Sequence, residues 1–201
     1  MNIDFSNPTT ILLLVAAIVA IVIVIAMVEH KRLIKARLRE RFGAEYDRAV
    51  LTHGSESKAE AILADREKRV RSLKLRELAT AQRERFITDW NLTQARFVDH
   101  PKGALAEADE LVTSLMQARG YPVSGFEDCA EDISVHYPRL IESYRSAHTI
   151  AMLSAQDKAS TEELRTAMLQ YRNLFDELVG SPAVADQTAW HPKVVPARNA
   201  R

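Results

Sequence analysis

Cysteine is nearly absent from this chain: Cys129 stands alone among 201 residues. A single thiol excludes an internal disulfide and any zinc or iron–sulfur site built from several cysteines, and it agrees with a reducing compartment. Glycine is also scarce, with six residues. Outside one N-terminal segment there are few β-branched runs, which argues against a sheet-based domain. The sequence holds no glycine-rich phosphate loop, no G-x-S-x-G elbow and no H-E-x-x-H pair, so the common phosphate, acyl-transfer and zinc-peptidase signatures are missing. Net charge is zero, but the balance hides two unlike parts. Residues 29–85 carry sixteen Lys and Arg against ten Asp and Glu, whereas residues 86–180 carry eight against fifteen.

What is present is one long apolar run. Residues 11–28 are eighteen consecutive apolar side chains without a charge, a Pro or a Gly. As a helix the run spans roughly 27 Å, close to the hydrocarbon thickness of a bilayer. In lipid a helix pairs all its backbone groups within one segment, so a single transmembrane helix is the expected form. Residues 1–10 hold Asp4 but no Lys or Arg. They therefore lack the basic start of a cleaved signal peptide. Just after the run come Lys31, Arg32, Lys35, Arg37, Arg39 and Arg41, against Glu29 and Glu40. The positive-inside rule puts this side in the cytoplasm and the short N-terminus outside, as in a bacterial inner membrane. The six cations are expected to meet anionic lipid headgroups. The same basic run could suit nucleic acid, but its position beside the membrane and the acidic distal part speak against that partner. An accessible Cys129 thiol would report the sidedness.

The remainder reads as all-α: a juxtamembrane stretch over residues 29–79, a helical bundle over 80–180 and a disordered tail over 181–201. Ile34, Leu38, Phe42 and Tyr46 recur every four residues, predicting a helix that runs on from the membrane through Gly43, at a cost of about 1 kcal/mol relative to Ala. His53-Gly54-Ser55 ends it. Ser57 with Glu60, Ser124 with Glu127, and Ser160 with Glu163 each fit a capping box. The first opens a charged helix ending near Arg71, whose few apolar residues (Ala61, Ile62, Val70) leave it solvated or facing a partner. Leu73, Leu75 and Leu78 suggest an extended connector pinned to the core. In the bundle, Phe86, Ile87, Trp90 and Phe97 share one helix. His100-Pro101 opens a second helix, striped with Leu105, Ala108, Leu111, Val112, Leu115 and Met116 and ended by Gly120. Pro138 is expected to open another, with Leu140, Ile141, Tyr144, Ala147, His148, Ala151 and Met152 inward. The last carries Leu164, Ala167, Met168, Tyr171, Phe175 and Leu178 on one face and stops at Gly180. The tail has Pro182, Pro192 and Pro196 and no period.

Several segments together resemble a family of bacterial single-pass membrane-anchored proteins with a helical domain and no assigned activity. They are Glu40-Arg41-Phe42-Gly43-Ala44-Glu45-Tyr46-Asp47, Arg96-Phe97-Val98-Asp99-His100-Pro101, Arg119-Gly120-Tyr121-Pro122-Val123, Tyr144-Arg145-Ser146-Ala147-His148 and the closing helix. The likeness covers most of residues 40–180. It implies a bacterial origin and an anchored helical domain, and it brings no site residues.

Chemistry finds little footing. Asp132 and His136 are four apart but next to an expected helix end, and His136 and His148 point about 120° apart on a helix, so no metal ligands or cofactor are implied. Cys129 lies among Asp128 and Glu131, which raise a thiol pKa, the wrong direction for a nucleophile. The pairs Glu127-Asp128, Glu131-Asp132 and Glu162-Glu163 read as helix-start acids that favour the dipole. No catalytic activity is expected. Two functions stand. One is an interaction module that binds a protein partner or itself, with Trp90, Tyr121 and Tyr137 as surface or core aromatics. The other is a sensory domain whose bundle holds a small ligand near Tyr144, His148 and Tyr171.

Overall fold

A computed structural model describes residues 8–180, with side chains in the first helix given for Leu12 and from Val15 onward. The expected tail and most of the short N-terminus lie outside the described residues. The described chain is all-helical: α1 (Pro8–Phe42), α2 (Ala44–His53), α3 (Glu56–Arg71), α4 (Thr80–Arg96), α5 (Pro101–Arg119), α6 (Phe126–Ser134), α7 (Ile141–Ala155) and α8 (Thr161–Gly180). It divides into two compact units, Met1–Ala64 and Asp65–Arg201, with the boundary inside α3.

In the first unit α1 is one unbroken helix. Among the described residues no helix is long and apolar enough to cross a membrane. From Val15 to Val28 the described stretch is fourteen residues, all exposed; the rest of the apolar run includes Ile11, Leu13 and Leu14, which lie outside the described side chains. Below the run, Leu38 and Phe42 of α1, Tyr46 and Ala49 of α2, and Ala59 and Leu63 of α3 are buried. The four-residue spacing of Leu38, Phe42 and Tyr46 thus does mark an inner face, although Ile34 stays outside it. The helix does not continue through Gly43. That residue has φ +53° and ψ −124°, a backbone state suited to glycine, and it separates α1 from α2.

The charged helix α3 also differs from expectation. Its first turn is capped by Ser55, whose Oγ accepts the Lys58 N–H at 3.3 Å, and not by Ser57. Nor is it a bare, solvated helix: Ala59, Leu63, Arg66, Glu67 and Val70 form a buried line at helical spacing. Two of those five are charged, which hid the stripe from a count of apolar residues.

The second unit is built around α5 and α8. Helix α8 packs against α7, α5 and α4, while α5 also contacts α4 and α7. The stripes foreseen on α5 and α8 form the core: Leu105, Ala108, Val112, Leu115 and Met116 face Leu164, Ala167, Tyr171, Phe175 and Leu178, all buried. Trp90 of α4 stacks on Phe175 of α8 with ring centroids 4.6 Å apart. Leu73, Leu75 and Leu78 of the connector pack on this core, and the Arg76 N–H donates to the Arg119 carbonyl at 2.9 Å.

Helix ends show which local signals hold. The Ser160 box forms, with Ser160 N–H donating to Glu163 Oε2 at 2.7 Å and Glu163 N–H to Ser160 Oγ at 3.3 Å. At α6 no box forms. Gly125 occupies the cap position, Ser124 Oγ donates to Asp128 Oδ2 at 3.1 Å, and Glu127 pairs with Arg145 instead. Helix α7 begins at Ile141, because a turn closed by Leu140 N–H to the Tyr137 carbonyl occupies the residues around Pro138. Its buried line runs Ile141, Tyr144, Ala147 and Ser154, one step round from Met152, which is 54% exposed.

Candidate functional site

Two of the three pocket candidates, His148 and Tyr171, reach one acid, Asp109, and Tyr144 lies beside them. Asp109 and Thr113 lie one turn apart on α5, beside the core stripe. Tyr171 of α8 donates its hydroxyl to Asp109 Oδ1 at 2.7 Å, and His148 Nδ1 of α7 lies 3.4 Å from the same oxygen. Tyr144, one turn before His148, is hydrogen-bonded to Thr113 and meets the Tyr171 ring edge-on at 6.1 Å. Helix α6 completes the group. Phe126 stacks on the His148 ring at 3.7 Å and 8° and sits 5.1 Å from Tyr144.

A cavity of about 220 Å³ opens among these residues. Asp109, Thr113, Phe126, Cys129, Tyr144 and His148 line it, together with Val123 and Gly125. Tyr171 stands behind Asp109 and does not line the space. Burial, reinforced by Asp109, pushes the Tyr171 hydroxyl well above the ordinary tyrosine range. Burial likewise raises Tyr144. The Cys129 thiol is pushed up to about 12, first by burial and then by Asp132 and Asp128. It is buried, with Sγ 3.5 Å from Met116 Sδ. Burial and the two carboxylates disfavour the thiolate form that a nucleophile needs.

A second cluster joins the C-terminal half of α3 to α6. Arg66 places Nη2 2.9 Å from Glu131 Oε1 and donates from Nη1 to Ser134 Oγ at 3.1 Å. Arg69 grips Asp132 Oδ1 through Nε at 2.9 Å and Nη2 at 2.6 Å. Hydrogen bonding to Asp132 raises the Arg69 pKa. Glu131 and Asp132 are therefore not helix-start acids. They sit near the C-terminal end of α6, where the dipole disfavours negative charge, and two arginines compensate them. Both arginines lie in the second unit, which begins at Asp65.

The remaining candidates scatter. His136 Nδ1 lies 2.8 Å from the Tyr121 hydroxyl, while Asp132 is held by Arg69. Trp90, Tyr121 and Tyr137 are all buried, which removes them as surface contacts. Of the six basic residues past the apolar run, Lys31, Arg32, Arg37 and Arg39 are exposed on α1. Lys35 and Arg41 are half-buried. Several are engaged within the first unit: Arg32 with Glu29 at 3.2 Å, Lys35 with Glu56 at 2.6 Å, and Arg39 with Asp47 at 3.4 Å. Among the described residues no cluster of three or more His, Cys, Asp or Glu could hold a metal ion. No family model, no curated protein and no solved structure matches the chain.

Proposed function

We propose that the chain is a single-pass, membrane-tethered helical module on the cytoplasmic face of a bacterial membrane, acting by binding and not by catalysis. The observation that carries the tether is α1. Its described apolar side chains from Val15 to Val28 are exposed on every side of the helix, an arrangement that water disfavours and lipid accepts. Together with the preceding apolar residues of the sequence, the run reaches bilayer length. The basic residues that follow continue on the same helix, where anionic headgroups lie within reach. The binding role draws support from the burial that disfavours the thiolate of Cys129 and from the engagement of Glu131 and Asp132 in structural pairs. The partner is another protein or a second copy of the chain. A crosslinked pull-down from native membranes tests this role, comparing the full chain with one lacking residues 1–28. The expected result is one stoichiometric partner that disappears with the apolar run. Recovery of the chain only as an uncrosslinked monomer overturns the adaptor role.

A second reading, a sensory domain for a small ligand, is favoured by the cavity that gathers Tyr144 and His148 around Asp109.

A further inference from the structure

Resting on the second reading, we propose that the cavity between α5, α6 and α7 takes a small organic cation, an ammonium group with a short carbon skeleton, and that Asp109 is its counter-charge. Three features of the lining argue for this class. Asp109 is its one carboxylate, and neither Lys nor Arg lines it. A carboxylate or phosphate ligand would therefore face Asp109 with no fixed positive charge to offset it. The carboxylate also keeps capacity to spare. Tyr171 and His148 both approach Oδ1, whereas a carboxylate has about four acceptor sites.

The walls suit a cation as well. Phe126 and Tyr144 both line the space, and aromatic rings attract alkylammonium groups through their quadrupoles while tolerating the attached methyl groups. Tyr144 is held as the neutral phenol by burial, so it competes for no positive charge. Size limits the ligand: the 220 Å³ cavity is below the roughly 300–1,000 Å³ of drug-sized sites. A compact headgroup fits that volume, and a nucleotide does not.

The test uses the full chain in detergent, with thermal shift and calorimetric titration of three probes of similar size. These are choline, its neutral isostere 3,3-dimethyl-1-butanol, and butyrate. Choline is expected to raise Tm and to bind at least about tenfold more tightly than the other two. Asp109→Asn should abolish that preference, and Phe126→Leu should weaken choline binding even if the first variant folds poorly. If the alcohol or butyrate binds as well as choline, the cation assignment is overturned while the pocket reading stands; if the preference survives Asp109→Asn, the counter-charge role of Asp109 is overturned. If none of the three binds, the assignment and the pocket reading fall together.

Discussion

Arg66→Ala is expected to lower the stability of the folded chain by about 3 kcal/mol, within the range for breaking a buried ion pair. Arg66 is 3% exposed, and its guanidinium holds Glu131 and the Ser134 hydroxyl. Truncation removes the charge, the hydrogen bond and the packing of the aliphatic stem at once. Glu131 retains partial access to water and a longer contact to Arg69 at 3.5 Å, which keeps the loss at the low end of the range. Arg66→Met restores most of the stem, so it should cost less than Arg66→Ala. The gap between the two variants measures the packing share. Urea denaturation of the full chain in detergent, followed by helical circular dichroism, gives both values. A loss below about 0.5 kcal/mol for Arg66→Ala would mean that the pair contributes no more than an exposed one.

Gly120→Ala should be about as damaging, at roughly 2–4 kcal/mol, through backbone strain and a steric clash. Gly120 caps α5 with φ +93°, where a side chain already costs about 1 kcal/mol or more. An added Cβ would also lie 2.8 Å from the Lys74 carbonyl oxygen and 3.4 Å from Leu75 Cα. Both are backbone atoms of the connector, so neither can rotate aside. Relief requires moving the connector that carries Leu73, Leu75 and Leu78 onto the core. Gly54→Ala is the matched control: φ is +73°, but its added Cβ would have open space around it. It should lose only the conformational cost, and equal losses at the two sites would refute the role given to the Lys74 contact.

The legible part of this fold was its regular part. On α8 the apolar residues recur at helical spacing, the Ser160–Glu163 box sits at the start, and every level agrees. Local pattern failed where a distant partner took the residue. Ser57 and Ser124 both match a capping box, yet Glu60 accepts a hydrogen bond from Tyr46 at 3.1 Å and Glu127 pairs with Arg145. Nothing within four residues of either serine announces those partners. Arg66 and Glu67 complete a buried line that a hydrophobicity pattern reads as solvent-facing.

The candidate site divides in the same way. Tyr144, His148 and Tyr171 were visible because they lie on stripes. Asp109 stands next to a stripe and looks like an ordinary surface acid until Tyr171 and His148 reach it from two other helices. A polar residue flanked by Ala108 and Val112 and spaced one turn from Thr113 was the available signal. It specified no direction for the side chain. Trp90, Tyr121 and Tyr137 show the converse limit, since their burial depends on helices far away in sequence.

Alkaline carbonate extraction of membranes from cells making the full chain tests the tether most directly. The account predicts that the chain stays in the membrane pellet. It also predicts release to the supernatant when Ile18 and Val22 are both changed to Lys, since each lysine at the centre of a span costs about 2.5–3.5 kcal/mol on insertion scales. Extraction of the unaltered chain into the supernatant would contradict it.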